Sequence, residues 1–227
     1  MQRHFDQELS VLKDKLLTLA SLAEEAVSNS LKSLVERDDS QARAVIEADS
    51  LLDAMEVELD ELCISMLALH SPIASDLRLI TIAMKITRDL ERVGDEATTI
   101  ARRAIALNSE AQLNAYVDVS RMGSLALAML KDALDAFVHR DSEKARAVVP
   151  RDKEVDQIHK QLHRDLLAFM IENASSITRA LNIMVISKSL ERVGDHAANI
   201  AEEVVYLYES RDIRHCHVSP DSASQNL

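Results

Sequence analysis

The sequence is poor in the residues that build sheets and tight turns. Among its 227 residues there are three glycines, three prolines and no tryptophan, and aromatic residues make up only 3%. Strands rely on aromatic and β-branched residues, and hairpins rely on glycine, so this composition argues against a β protein. Strong helix formers, namely Ala, Leu, Glu, Lys and Arg, dominate instead. The composition therefore predicts an all-α chain.

Positive charge, cysteine and long apolar runs are also scarce. The formal net charge is −12 and there is no concentrated basic patch, so the chain would repel phosphate backbones and nucleic acid is not an expected partner. Two cysteines, Cys63 and Cys216, are too few for a disulfide framework, and Cys63 fits a small core residue. No apolar run approaches the roughly 20 residues that span a bilayer, and the N-terminus has no apolar signal core. We therefore expect a cytoplasmic protein.

An internal duplication organises the chain. Residues 91–95 and 191–195 both read Glu-Arg-Val-Gly-Asp, at an offset of 191 − 91 = 100 positions. Further upstream, residues 42–45 (Ala-Arg-Ala-Val) recur at 145–148, at an offset of 145 − 42 = 103. Two repeats in the same order indicate two related halves. The difference between the offsets predicts a shorter turn before the last helix of the second half.

Each half is predicted to contain three long helices, because apolar residues recur at helical spacing between polar breaks. The break Arg37-Asp38-Asp39-Ser40 offers N-cap side chains for the second helix, and the corresponding break of the second half lies near Arg140-Asp141. Ser71 and Pro72 are expected to supply the N-cap and first residue of the third helix. Pro150 is expected to kink or delay the middle helix of the second half. The predicted fold is all-α: two pseudo-symmetric three-helix bundles, six long helices in total, packed together. The predicted repeats are residues 1–108 and 109–210, followed by a polar tail, 211–227, expected to be mobile.

Acidic pairs four residues apart recur with the duplication. This spacing places two carboxylates on one helix face, about 5–6 Å apart at Cβ, where a cation would offset their repulsion. The pairs lie on the second and third predicted helices of each half, and they are Asp49 with Asp53, Glu91 with Asp95, Asp152 with Asp156, and Glu191 with Asp195.

The turn positions predict that the pairs of each half lie at the same height. Asp53 lies 71 − 53 = 18 residues before Ser71 and Glu91 lies 91 − 71 = 20 residues after it. At about 1.5 Å of rise per residue, both reach nearly the same level on adjacent antiparallel helices. The corresponding distances about Asn173 are similarly matched. A single pair would fit a solvated acidic face, but four duplicated and matched pairs favour metal binding by carboxylate oxygens.

Several nearby residues have two readings. His159, one turn beyond Asp156, fits either a metal ligand that would admit zinc or an exposed helical histidine. His196 points away from its acidic pair and is read as structural. Arg92 and Arg192 are expected to pair with neighbouring acids, and Gly94 and Gly194 to allow close helix approach or room beside a bound cluster. The residues His215-Cys216-His217, in the polar tail, are read as incidental.

The twin Glu-Arg-Val-Gly-Asp motif, followed each time by Ala and Ile-Ala, resembles the PhoU family, as does Ser75-Asp76-Leu77-Arg78 before the first copy. The resemblance implies two three-helix bundles whose acidic motifs hold multinuclear iron, zinc or manganese clusters. It implies a cytoplasmic negative regulator of phosphate uptake and phosphate-starvation signalling, which links the phosphate ABC transporter to a phosphate-sensing histidine kinase. It also implies a homodimer that meets the membrane only through its partners, and no enzymatic activity.

Two alternatives remain open from the sequence. A carboxylate-bridged metalloenzyme of the ferritin-like type needs Glu-x-x-His, whereas Gly94 and Gly194 stand three residues after Glu91 and Glu191. A metal-dependent phosphohydrolase on the same bundle lacks a recognisable general base or nucleophile motif. A metal-free helical scaffold is the remaining reading.

Overall fold

The computed structural model describes residues 2–111, 113 and 116–213, and every regular element within these ranges is helical. Short 3-10 turns at 149–151 and 174–176 accompany seven α-helices. The helices are α1 (Gln2–Glu36), α2 (Asp39–His70), α3 (Ala74–Asn108), α4 (Tyr116–His139), α5 (Ser142–Val148), α6 (Asp152–Glu172) and α7 (Ile177–Glu209). Because the turn at 149–151 joins α5 to α6 end to end, there are six long rods, which confirms the predicted all-α class.

The helices form the two predicted bundles. In the first, α1, α2 and α3 pack on one another, and in the second, α7 packs on α4, α5 and α6. The apolar stripe predicted for the first helix is buried, for example at Leu12, Leu16 and Leu19. The two bundles meet mainly where α3 packs against α7, with a smaller contact between α1 and α4. The repeat limits at residues 108 and 210 stay a prediction.

The two motif helices, α3 and α7, run antiparallel. Polar contacts between them pair early residues of one with late residues of the other: Arg78 with Ser210, Lys85 with Glu203, Glu96 with Arg192, and Arg103 with Asn182. These contacts centre on the two copies of the repeated motif. The pseudo-symmetric halves are therefore joined at their most similar segments.

The turns before the middle helices are the same in both halves. Arg37 and Arg140 take the left-handed conformation, with φ of 58° and 57°. In each turn the N–H of the following aspartate, Asp38 or Asp141, donates to the carbonyl five residues back, at 3.0 and 2.9 Å. The carboxylate of each aspartate then accepts backbone N–H groups of the next helix, which confirms the N-cap predicted for α2.

The start of α3 differs from the prediction. Ser71 does not cap α3 but ends α2 in the left-handed conformation, with φ of 46°, and the extended Ile73 precedes α3 without a side-chain cap. Pro72 accordingly lies in the link and not at the first helical position. A proline disfavours helical backbone in the residue before it, so α2 stops at Ser71 and the next residues are needed to reverse the chain.

The second half is interrupted where the sequence indicated. Pro150 lies in the 3-10 turn at 149–151, because a proline in a helix interior removes one N–H donor and crowds the preceding turn. The link between α6 and α7 is also shorter, as predicted. Helical backbone resumes at Ala174, which is 174 − 74 = 100 positions after the start of α3, and only Asn173 separates it from α6.

Across the described ranges, none of the helices has the length and hydropathy needed to cross a bilayer. Cys63 is fully buried in the core, as predicted, and burial raises the pKa of its thiol to about 12. Cys216, with the rest of the segment 215–217 and most of the predicted tail, lies outside the described residues.

The paired left-handed arginines give a test of this fold. We expect Arg140→Gly to raise the free energy of unfolding by about 1 kcal/mol, because glycine adopts positive φ without the steric cost of a Cβ. Arg37→Gly should give no gain or a loss, because the Arg37 guanidinium donates to the carbonyls of Asn108 and Glu110 at the end of α3. Urea denaturation measures both variants. Equal gains at the two positions would contradict this assignment.

Candidate metal centres

The first group of carboxylates lies between α2 and α3. We call Asp49, Asp53, Glu91 and Asp95 the first acidic cluster. Burial raises the pKa of Asp49, and the charges of Asp53 and Asp95 raise it further, whereas the nearby Thr98 side chain lowers it. Each helix therefore places its pair within electrostatic reach of the other pair, at the matched height that the turn positions predict.

Glu91 is the most perturbed member of the first acidic cluster. Burial raises the pKa of Glu91 to about 7, with further increases from Asp95, Glu56 and Asp53 against an opposing effect of Arg92. Its side chain is 14% exposed. A carboxyl in this position holds its proton near neutral pH unless a cation balances its charge.

The second group lies between α6 and α7. We call Asp152, Asp156, Glu191 and Asp195 the second acidic cluster. Burial raises the pKa of Asp152 to about 6, helped by the charges of Asp195, Asp156 and Glu191 in that order. The pKa of Asp195 is also raised, first by burial and then by Glu191. The structure thus brings together all eight carboxylates predicted from the sequence, as two sets of four.

Basic side chains form ion pairs with several of these carboxylates. Arg92 contacts Asp95 at 3.1 Å and Glu91 at 3.3 Å, and Lys160 contacts Asp156 at 2.8 Å. Lys188 pairs with Glu191 in the same way. A cation entering either cluster would therefore have to displace these partners. Among the described residues, no three carboxylate, imidazole or thiol groups surround one point where a metal ion would sit.

Two carboxylate oxygens of the clusters are buried without a hydrogen bond. They are Oε2 of Glu91, which lies near Arg92 Nε but outside hydrogen-bonding geometry, and Oδ1 of Asp152. A buried oxygen without a partner is costly, and a cation is a partner that both would accept. The donor set is rich in carboxylate oxygen, which suits Mn²⁺, Mg²⁺ and iron. The residues present therefore fit a metal in composition and in unmet bonding capacity.

The two motif glycines face the middle helices. A Cβ at Gly94 would lie 2.8 Å from Leu52 Cδ2, closer than side chains tolerate, so this glycine allows close approach of α2 and α3. A Cβ at Gly194 would lie 3.5 Å from Asp152 Oδ1, in ordinary contact. The first glycine thus serves helix packing, and the second borders the second acidic cluster.

His159 and His163 lie beside the second acidic cluster, on α6. The Nδ1 atom of His159 is 2.7 Å from the Oγ atom of the buried Ser187 on α7, and the rings of the two histidines are 4.1 Å apart. Burial and the neighbouring His163 lower the pKa of His159, while Glu191 and Asp156 act in the opposite direction. Of the two readings open for His159, an exposed helical histidine does not fit this position.

Ion pairs between the two halves are the feature that sequence reasoning missed. Arg92 pairs with acids of its own motif, as predicted, but Arg192 reaches Glu96 in the other half at 2.9 Å. His196 contacts Asp89 at 2.8 Å, in keeping with its predicted structural role. An antiparallel arrangement of the two repeated motifs would have predicted such contacts, but the sequence does not state how the halves are oriented.

A polar cavity of about 660 Å³ lies over this junction. It is lined by Asp49 and Asp95 of the first acidic cluster and by Asp195 of the second, together with Arg102 and Thr99. The two clusters therefore border one solvent-filled space, so a charge bound at one changes the field at the other.

Comparison with known proteins agrees with this architecture. A family model described as the PhoU domain matches the chain twice, at residues 16–104 and 119–204. A relative from Pseudomonas putida, named phosphate-specific transport system accessory protein PhoU homolog, is 42% identical over 216 residues, which cover 95% of this chain and 84% of that protein. The relative from Escherichia coli K12, named phosphate-specific transport system accessory protein PhoU, is 34% identical over 211 residues, covering 93% and 88%.

Solved structures give the same result. PhoU from Pseudomonas aeruginosa is 42% identical and superposes with a TM-score of 0.89, covering 91% of this chain and all of that one, 100%. The phosphate transport system regulatory protein PhoU from Streptococcus pneumoniae is 31% identical, with a TM-score of 0.84 and coverage of 92% and 99%. From the duplicated motif, the paired bundles and these matches over both halves, we conclude that the chain belongs to the PhoU family.

Proposed function

We propose that this protein is a cytoplasmic negative regulator of phosphate uptake and phosphate-starvation signalling. The observation that carries this proposal is the match of both halves to the PhoU domain, together with relatives that are named accessory proteins of the phosphate-specific transport system. In this role it would act by binding, as a homodimeric scaffold between the phosphate ABC transporter and its sensor histidine kinase. Its membrane contact would then come through these partners.

We further propose that the two acidic clusters hold cations that modulate the scaffold. Asp49, Asp53, Glu91 and Asp95 would bind one set of ions, and Asp152, Asp156, Glu191 and Asp195 the other. Bound iron, zinc or manganese would supply positive charge that balances these carboxylates. Because each cluster joins two helices, ions there would hold α2 to α3 and α6 to α7.

Binding rather than catalysis is the better reading of these residues. A ferritin-like oxidase needs histidines where Gly94 and Gly194 stand. Among the described residues, those lining the junction cavity supply carboxylates, arginines and threonines, with His196 already engaged by Asp89. This set has no nucleophile held by a base, which hydrolysis by a covalent route requires.

Removal of one carboxylate from each cluster tests the metal sites. We expect the Asp95→Ala/Asp195→Ala double variant to lose most of the metal that co-purifies with the protein, since each cluster loses a ligand from its motif helix. Inductively coupled plasma mass spectrometry gives the metal content per chain.

The matched control for this test is Glu143→Ala/Glu172→Ala, which removes two negative charges from exposed positions outside the clusters. It should keep its metal. Equal metal content in the wild type and the Asp95→Ala/Asp195→Ala variant would refute the site assignment.

The raised pKa values predict how stability depends on pH. The folded-state pKa of Glu91 is about 7 against an ordinary 4.5, and that of Asp152 is about 6 against 3.8. The unfolded chain therefore loses these protons first, so metal-free protein should become less stable as pH rises from about 4 to about 7. Glu91→Gln should remove part of this loss, on the order of 1 kcal/mol at pH 8, because solvent screens the partly exposed cluster.

Urea denaturation of chelator-treated protein at pH 5 and pH 8 measures this effect, with the exposed Glu143→Gln as control. Parallel pH profiles for the wild type and Glu91→Gln would show that Glu91 carries no such penalty.

The regulatory role has a test in cells. We expect deletion of the gene to give phosphate-starvation gene expression even in phosphate-rich medium, and expect the full-length chain to restore repression when supplied on a plasmid. A reporter driven by a phosphate-starvation promoter measures this. Normal repression in the deletion strain, with no second copy of the gene, would argue against the proposed function.

A further inference from the structure

The two halves differ in two residues that follow the acidic pair on the middle helix. At the offset of 103, Glu56 and Asp60 of α2 correspond to His159 and His163 of α6, since 159 − 56 and 163 − 60 are both 103. We call His159 and His163 the imidazole pair. The first half therefore offers only carboxylates on this face, and the second offers two imidazoles.

The imidazole pair belongs to the second acidic cluster in space. Burial lowers the pKa of His159, and the charges of Glu191 and Asp156, one from each helix of the cluster, act to raise it. Its Nδ1 atom is fixed by Ser187 at 2.7 Å, one helical turn before Glu191. A hydrogen bond at one ring nitrogen sets the ring orientation and leaves the other nitrogen to coordinate a metal, which is the usual arrangement of ligating histidines.

His163 supplies an independent observation. Its Nε2 atom is buried and makes no hydrogen bond to any described residue. The ring lies 4.1 Å from that of His159, at an interplanar angle of 50°. A buried imidazole nitrogen without a partner needs either a water molecule or a metal.

Building on the proposed metal sites, we propose that the two clusters select different cations. Histidines at i and i+4 on one helix face can form a chelate for Zn²⁺. The second acidic cluster with the imidazole pair would take zinc or a similar nitrogen-preferring ion. The first acidic cluster, with Glu56 and Asp60 beside it, would take an oxygen-preferring ion such as Mn²⁺.

Ion pairs compete with a metal ion in both clusters, since Arg92 contacts Asp95 and Glu91 in the first. In the second cluster, Lys160 forms an ion pair with Asp156 and Lys188 forms one with Glu191. An ion that relies on these oxygens alone must therefore displace two ammonium groups. The imidazole pair adds two donors that are not used for such ion pairs. A nitrogen-preferring ion therefore gains ligands where an oxygen-preferring ion meets competition.

Titrations of the metal-free full-length protein with Zn²⁺ and with Mn²⁺ test the proposal. We expect His159→Gln/His163→Gln to weaken Zn²⁺ binding at least tenfold and to change Mn²⁺ binding less than twofold. The matched variant in the first half, Glu56→Gln/Asp60→Asn, should weaken Mn²⁺ binding and leave Zn²⁺ binding unchanged. Circular dichroism checks that each variant is folded.

A spectroscopic measurement separates ligation from a general loss of stability. Imidazole ¹⁵N chemical shifts of His159 and His163 should move when Zn²⁺ is added and stay in place with an equal amount of Mg²⁺, a diamagnetic ion that also prefers oxygen ligands. Unchanged shifts with Zn²⁺, or equal weakening of both metals by the histidine variant, would overturn the proposal.

The test also distinguishes this inference from the metal-binding proposal itself. If Asp95→Ala/Asp195→Ala abolishes binding of both ions while the histidine variant binds zinc normally, the clusters are metal sites but the division between them is wrong. If the aspartate variant keeps both affinities while the histidine variant loses zinc, the imidazole pair is a zinc site and the proposed role of the carboxylates fails.

Discussion

Carboxylates repel one another between α2 and α3, and again between α6 and α7, and the surrounding helices hold them in place. Packing, not local charge, keeps the pairs together, since Gly94 lets α2 approach α3 against Leu52. Arg92, Lys160 and Lys188 offset part of the repulsion. Burial first, and the remaining repulsion after it, raise the pKa values of Glu91 and Asp152 in the metal-free protein.

The antiparallel packing of α3 against α7 brings the two clusters to one surface of the protein. Ion pairs such as that of Arg192 with Glu96 join the two halves at their repeated motifs. As a result both clusters border the same polar cavity, to which the first contributes Asp49 and Asp95 and the second Asp195. This arrangement gives the proposed regulator a physical basis, because ions bound between the helices would alter the field and the rigidity of the surface that a partner would meet.

Much of this could be predicted from the sequence, because duplication and helical spacing are local signals. Helical spacing and polar residues predict the six long helices and the breaks at Arg37 and Arg140. Counting residues between turns predicts the matched heights of the acidic pairs. The prediction that Ser71 caps the N-terminus of α3 was wrong, because capping depends on where the chain reverses and not only on residue type. The contacts of Arg192 and His196 across the halves were missed, since they depend on the relative orientation of two bundles that the sequence does not encode locally.

The central claim is that the two clusters are cation sites. Crystals of the protein purified without chelators, measured at metal absorption edges, test it most directly. We expect anomalous difference peaks about 2.0–2.6 Å from carboxylate oxygens of Glu91 and Asp95 in the first cluster and of Glu191 and Asp195 in the second. Anomalous peaks confined to other surfaces, or none in crystals grown with added Mn²⁺ and Zn²⁺, would contradict it.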